Sequence, residues 1–309
     1  MKKIIVIGCG ISGLSSAILL RRQGHQVHIV AERLPPQTTS DKAAAFWSPY
    51  YINDDRAAGW AIESYYEYKK WAYDRRSGVR LTELHRFGRG DDFGHAAWFR
   101  AIPEGIMRPL SERDLPCAYD FGWALTVPLI ETQLFMPYLM EQFLGLGGTI
   151  EVRRIEQLNS LQNDGDLVVN CSGLAARQLA DDELVKPVKG QIVMLDMQLP
   201  LPILLDEQEP TYLVQRSDGL LVGGTREEGV YTETTDEPAL QDILRRAAVL
   251  QPQVMQARRL TQWAGLRPWR PHVRVERSGN LIHNYGHGGS GFTLAWGCAR
   301  EVVRLAEEW

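Results

Sequence analysis

This chain has no Cys-x-x-Cys pair, no polybasic block, no apolar run of bilayer-spanning length and no internal repeat. Each absence closes off a class of protein. The four cysteines stand far apart at 9, 117, 171 and 298. That spacing builds neither a metal site nor a disulfide framework, and three of the four lie in apolar or Gly-rich runs, as buried free thiols of a reducing compartment do. Lys and Arg (34) are interleaved with Asp and Glu (38) for a formal net charge of −4, which argues against nucleic acid and against a membrane surface as partner. The apolar N-terminal run is broken by Gly8, Gly10, Ser12 and Gly13, so it does not read as a signal peptide. No bilayer span is expected, no metal is expected, and a cytoplasmic location is the expectation.

The sequence is richer in glycine, with 28 in 309 residues, and several of these are grouped. Residues 3–7 (KIIVI) read as a buried parallel strand. GCGISG follows, with glycines at 8, 10 and 13. A helical stretch then ends at Gly24, and a second strand over 26–30 runs toward Glu32. Strand, GxGxxG turn, helix, strand and acid in register form a dinucleotide-binding βαβ unit. Gly8 makes the tight turn, Gly10 admits the pyrophosphate, Gly13 lets the helix pack on the strand, and Glu32 accepts from ribose hydroxyls. The motif alone does not choose between NAD and FAD.

Residues 33–50 (RLPPQTTSDKAAAFWSPY) follow as an extended, partly apolar loop fit to line a second face of a long cofactor. Residues 59–73 form an aromatic-rich helix, read as core packing or a partner surface. Residues 79–127 read as short strand-like pieces opening a second domain, 130–145 as a helix, 149–155 as a strand, and 167–170 as a buried strand entering Cys171-Ser172-Gly173. After Lys189-Gly190, three strand-like runs (191–196, 210–215, 219–224) suggest an antiparallel sheet covering the cofactor domain, and 237–250 an amphipathic helix. Residues 261–277 combine prolines with arginines; Arg267, set among aromatics, is either a solvated charge or an anion grip. Finally HNYGHGGSGFTLAWGC (283–298) holds five glycines, four of them ahead of a closing helix over 292–308. It is either a helix cap or a place where backbone meets a ligand at the positive end of a helix.

GCGISG, TTSDKAAAFWSPY, VVNCSG and GLRPWRP…HNYGHGGSGFTLAWG occur in this order in the D-amino-acid oxidase family of FAD-dependent flavoproteins, which includes the D-aspartate oxidases, and the chain resembles that family along essentially its whole length. The resemblance implies an α/β fold: a discontinuous Rossmann-type FAD-binding domain (1–50, 130–186, 267–309) interlaced with a substrate domain on a mixed β-sheet (51–129, 187–266). It places FAD against Gly8, Gly10, Ile11 and Gly13, and against Glu32 and Arg33. Further contacts fall on Thr38, Thr39, Ser40, Ala44, Ala45 and Phe46, on Ile155 through its backbone, and on Ser172 and Gly173. The C-terminal loop Gly288, Gly289, Ser290, Gly291, Phe292 and Thr293 would surround the isoalloxazine.

For substrate, the resemblance matches Arg267 and Tyr212 to the residues that hold the carboxylate, and Gly289 to the carbonyl that receives the amine. The reaction it implies removes the α-hydrogen as hydride to flavin N5. The imino acid hydrolyses to a 2-oxo acid and ammonia, and oxygen reoxidises the flavin to give hydrogen peroxide. No acid or base side chain is then required, and His287 reads as a satisfied structural histidine. Two departures stand out. The vertebrate members carry a second active-site tyrosine on a lid before the Tyr212 position, whereas 204–210 (LLDEQEP) here is short and has none, suggesting a more open site. Arg226 stands where the D-aspartate oxidases have an arginine, while Leu205 stands near the position of their other one. Arg226 therefore has two readings: a grip on a substrate's second carboxylate, or a surface arginine paired with Glu227 or Glu228. A flavin oxidase or dehydrogenase of glycine, sarcosine or another amine is the competing enzyme reading, and a non-catalytic FAD module the competing binding reading. A small-molecule D-amino acid and oxygen are the expected partners, and a homodimer is held open.

Overall fold

The computed structural model describes residues 1–49, 55–90, 97–161, 164–206, 208–209 and 211–308. Tyr50 of the extended loop, and Glu207 and Pro210 of the short lid segment, lie outside the described residues. The chain starts with the βαβ unit: β1 (Lys3–Ile7), α1 (Ile11–Arg22) and β2 (Gln26–Ala31). β1 pairs in parallel with β2 from Lys3 opposite Gln26 to Ile7 opposite Val30. Every residue of β1 after Lys3 is buried, as a strand apolar on both faces requires. At the turn, Gly8 has φ 102°. A Cβ there would sit 2.5 Å from the Cys171 carbonyl oxygen, and a Cβ on Gly13 would overlap the Gly8 carbonyl oxygen outright. Arg21 and Arg22 close α1, where the helix dipole favours positive charge.

The next elements are α2 (Asp55–Trp71), β3 (Val79–Gly88), β4 (Met107–Pro109), β5 (Phe121–Ile130) and α3 (Thr132–Gly145). The sequence reading of 79–127 as short pieces is corrected here: β3 and β5 are ten-residue strands paired along their whole length. Ile130, expected as the start of a helix, ends β5. The aromatic helix packs as core. Trp60, Tyr65, Tyr68 and Trp71 are buried, Trp71 stacks on Trp296 with ring centroids 5.5 Å apart, and the Tyr68 hydroxyl donates to the Phe292 carbonyl at 3.0 Å.

β6 (Thr149–Val152) stops three residues short of the expected end, leaving Ile155 beyond the strand. β7 (Leu167–Asn170) and α4 (Ala176–Leu179) lead into β8 (Lys186–Asp196). Lys189-Gly190 was expected to precede this strand but lies inside it. β9 (Ile203–Asp206), β10 (Thr211–Arg216), β11 (Gly219–Gly223) and the two-residue β12 (Glu227–Glu228) follow. Then come α5 (Glu237–Leu250), β13 (Arg258–Ser278), β14 (Leu281–His287) and α6 (Gly291–Glu307). α5 opens on Asp236, whose carboxylate accepts from the Ala239 N–H, a conventional cap.

The strands form one mixed sheet in the order β4-β5-β3-β9-β10-β11-β8-β13-β14-β7-β1-β2-β6, with β12 on β8. The antiparallel block therefore continues the parallel sheet edge to edge instead of covering it. The join is β13, the stretch that the sequence presents only as basic and proline-containing. Its first part pairs with β8, its last part pairs with β14, and Trp269 stands opposite Lys186 on one side and His287 on the other. No helix among the described residues is long and apolar enough to cross a membrane.

Candidate active site

Sheet register brings the distant polar residues together. Tyr212 is opposite Gly223, Gly223 opposite Ile192, and Ile192 opposite Trp263. Side chains two residues apart share a face, so Tyr212 and Arg267, four residues beyond Trp263, project from the same side of the sheet. Gly190 lies beneath the guanidinium: a Cβ there would overlap Arg267 Cζ and both terminal nitrogens. Gly224 flanks both groups, its Cβ position lying 3.1 Å from the Tyr212 hydroxyl and 3.5 Å from Arg267 Nη2. Arg267 Nη1 donates to the Thr225 carbonyl at 2.8 Å, and the edge of Phe46 meets the Tyr212 ring at 6.0 Å. Burial raises the Tyr212 pKa above the ordinary tyrosine value, against the opposing charge of Arg267. The phenol therefore stays protonated at neutral pH and acts as a donor.

This corner opens into a cavity of about 1930 Å³ that the βαβ turn also lines. Glu32 and Arg33 border it, with the Glu32 carboxylate 4.0 Å from Arg154. Gly8, Gly10, Ile11, Thr39, Ser40, Ser172 and Gly173 line it as well, and the Ile11 N–H donates to Ser40 Oγ at 2.9 Å. Thr38 also lines it, but its hydroxyl and N–H are both committed to Asp41 Oδ2, capping the short turn Thr39–Lys42. Ala44, Ala45, Phe46 and Ile155 complete this part of the lining. Ala45 has φ 51°, a backbone state that a non-glycine residue adopts at a cost of about 1–3 kcal/mol and that concentrates at ligand-holding sites.

Gly288, Gly289, Ser290, Gly291, Phe292 and Thr293 all border the cavity, although the Thr293 hydroxyl donates to the Ser48 carbonyl at 2.8 Å and is committed there. Gly13 alone among the expected cofactor residues does not line the cavity; its place is the helix–strand contact behind the turn. Arg226 borders the cavity and at the same time gives Nε and Nη2 to Glu228 Oε1 at 3.1 and 2.8 Å.

An extended dinucleotide fits this lining. A side chain at Gly10 would stand 3.0 Å from Ser40 Oγ and close the gap beside the turn. α1 and α6 both start at the cavity without a side-chain cap from Gly10 or Ser290, and a Cβ on Gly291 would lie 3.8 Å from Ile11. Two positive helix ends thus converge on one space, the arrangement that anionic phosphates and an electron-rich ring favour. Ser172 Oγ, bordering the same space, has no hydrogen-bond partner among the described residues.

His287 needs correction. It is buried, but its Nε2 has no partner among the described residues, so it is not a satisfied structural histidine. Burial lowers its pKa from 6.5 to about 4. His283 is likewise pushed down to about 4, by burial first and then by the charge of Arg274. The folded chain keeps both rings neutral where the unfolded chain protonates. Their stabilisation is therefore complete above pH 6.5 and is lost as pH falls from there to about 4. Thermal midpoints recorded across that window should fall with pH in the wild type and fall less in His287→Gln; equal slopes would remove His287 from the account.

Gly190, Gly224 and Thr225 were not singled out from the sequence. The only hint is composition, a Lys-Gly step and a Gly-Gly-Thr step, each of which resembles an ordinary turn. Gly190→Ala should displace the Arg267 guanidinium, since a flexible side-chain tip gives way before a strand does. The expected result is carboxylate binding weakened about tenfold with flavin content unchanged, read by titrating the flavin absorbance with a carboxylate. Wild-type affinity would show that the guanidinium does not rest on Gly190.

A dinucleotide turn opening directly onto a guanidinium–phenol pair defines a nucleotide-dependent oxidoreductase. The profile of the family described as FAD dependent oxidoreductase matches residues 3–305. The D-amino-acid oxidase of Rubrobacter xylanophilus is 40% identical over 98% of this chain and 95% of that protein. The human D-aspartate oxidase is 31% identical over 99% and 95%. Among solved structures, the glycine oxidase of Geobacillus kaustophilus superposes with TM-score 0.85 at 21% identity, covering 100% of this chain and 95% of that one. The chain belongs to the FAD dependent oxidoreductase family, in the branch of the D-amino-acid oxidases, and FAD is its cofactor.

Proposed function

We propose that the protein oxidises D-amino acids, converting a D-amino acid, water and oxygen into the 2-oxo acid, ammonia and hydrogen peroxide. The observation that carries this reading is the single cavity joining the βαβ turn to Arg267 and Tyr212. Bound FAD supplies the two-electron acceptor. The residues expected to hold it are those of the turn, the 38–46 loop, Ile155, Ser172-Gly173 and the 288–293 loop, and the cofactor half is taken as 1–50, 130–186 and 267–309. The boundary at 267 falls within β13, so the carboxylate grip stands where the two halves share a strand.

The chain's own part in the chemistry is orientation. Arg267 grips the substrate carboxylate in the plane of its guanidinium, and Tyr212 donates to the same group. The Gly289 carbonyl receives the amine, so that the carboxylate and the amine together fix which face of the α-carbon meets the cofactor. Tyr212 is held protonated and His287 neutral, so neither is a cation, and the alignment of substrate with cofactor provides the rate enhancement. Arg226 is engaged with Glu228, which supports neutral D-amino acids over acidic ones.

Purified holoenzyme mixed anaerobically with D-alanine, L-alanine, D-aspartate, glycine and sarcosine tests the reading. Bleaching of the flavin by the D-enantiomer alone, with peroxide on re-aeration, is expected. Bleaching by glycine or sarcosine in preference to D-alanine would overturn it. For side-chain preference, D-aspartate turnover relative to D-alanine should be low and should change little in Arg226→Ala; a D-aspartate preference that collapses in the variant would restore the acidic reading.

A further inference from the structure

Behind Arg267 lies a polar network centred on Thr225 and Glu227. The Thr225 carbonyl accepts from Arg267 Nη1 at 2.8 Å. The Thr225 hydroxyl donates to Glu227 Oε1 at 2.7 Å and accepts from the Gln191 backbone N–H at 3.1 Å. Gln191 Nε2 donates to the same Glu227 oxygen at 2.7 Å, and Gln191 Oε1 accepts from the Asp236 N–H at 2.8 Å. Lys189, buried in β8, lies 3.4 Å from Glu227 Oε2.

We infer that Glu227 and Thr225 are positioning residues for Arg267, and this rests on the reading of Arg267 as the carboxylate grip. A hydroxyl has one proton; Thr225 gives it to Glu227 and takes the Gln191 N–H on its lone pairs, so its rotamer has no competing arrangement. Both Glu227 oxygens are occupied, one by Thr225 and Gln191 and the other by Lys189. With Thr225 held at its side chain, its carbonyl direction is held as well, and that carbonyl anchors one end of the guanidinium while Gly190 supports its face. A long arginine side chain otherwise samples many rotamers; anchored at Nη1, it keeps its remaining N–H groups aimed at the substrate. Lys189 balances the Glu227 charge, so the anchor adds no net negative charge against an incoming carboxylate. Arg226, between Thr225 and Glu227 in sequence, gives its guanidinium to Glu228 instead.

Truncating Glu227 would leave Lys189 buried and unpaired and invites misfolding, so the test uses near-isosteric changes in the holoenzyme. Thr225→Val puts a methyl in place of the hydroxyl, removing both the donor to Glu227 and the acceptor for the Gln191 N–H; Thr225→Ser keeps that hydroxyl, and Glu227→Gln turns an amide N–H₂ toward groups that need an acceptor. The readouts are flavin content, steady-state kinetics with D-alanine, and benzoate affinity from the flavin absorbance, benzoate being a carboxylate with no α-hydrogen to lose. Thr225→Val and Glu227→Gln are expected to raise the benzoate Kd and the KM about tenfold with kcat within about twofold of wild type. Thr225→Ser is expected to recover the wild-type values, and all three should keep their flavin. Wild-type Kd and KM in both Thr225→Val and Glu227→Gln, alongside lost binding in Arg267→Leu, would overturn this inference and leave the proposed function standing. Loss of flavin or of kcat together with KM would show a merely structural role and also overturn it. Wild-type benzoate binding in Arg267→Leu would overturn both readings.

Discussion

Replacing Arg267 by leucine raises the KM for a D-amino acid by about a hundredfold or more and leaves the flavin in place. The magnitude follows from the chemistry of the corner. A carboxylate brought against Leu205, Tyr212, Gly190 and Gly224 loses its water, and without the guanidinium only the Tyr212 phenol replaces that hydration. Breaking one side of a desolvated charge pair typically costs about 2–5 kcal/mol, and the lower half of that range already corresponds to about a hundredfold in affinity. Flavin is retained because the Arg267 guanidinium is held by the Thr225 carbonyl, beside Tyr212 on the substrate side of the cavity. Steady-state kinetics with flavin content measured on the same preparation decides the matter. A variant that binds substrate normally would dismiss Arg267 as the grip, and one purified without flavin would place Arg267 in the cofactor site.

Gly13→Ala should have the opposite signature: no flavin, and a less stable protein. The added methyl would meet the Gly8 carbonyl oxygen at far less than contact distance. That oxygen cannot retreat as a side-chain tip does, because the Gly8 N–H is bonded to the Val30 carbonyl at 2.9 Å and its α-carbon is pressed against the Cys171 backbone. The helix must therefore move off the strand, and the α1 N-terminus leaves the position from which it faces the cavity. Overpacking of this kind costs about 1–3 kcal/mol, or about 2–5 °C in thermal midpoint at this chain length. Flavin absorbance after gel filtration and a thermal melt are the two measurements. A yellow variant of wild-type midpoint would mean that the turn has more slack than its contacts allow.

These two changes mark which parts of the site were legible in the amino-acid sequence. The βαβ turn was legible because its motif is local: Gly8, Gly10 and Gly13 lie within six residues between a strand and a helix. Of the contacts they avoid, only that of Gly13 with the Gly8 carbonyl is local; Gly8 faces the Cys171 backbone and Gly10 faces Ser40. The amphipathic helix over Glu237–Leu250 and the aromatic helix before Trp71 were legible for the same reason, since a 3.6-residue period is written into adjacent residues. The resemblance also drew Arg267, Tyr212 and the 288–293 loop out of the chain, by motif and not by any local rule.

The sequence by itself determined that this protein has a dinucleotide turn, a glycine loop heading a helix, and no metal, span or nucleic-acid signal. Only the tertiary structure decided that β13 joins the parallel and antiparallel halves into one sheet, because a strand's partners depend on edges supplied by residues far away. It also decided what stands behind the grip. Lys189-Gly190 looks like a turn in one dimension, and in β8 it is a buried lysine paired with Glu227 and the floor beneath a guanidinium. His287, read as satisfied, has a nitrogen with no partner among the described residues. Side-chain partners of this kind are set by pairing register across four strands, and no window of sequence contains them.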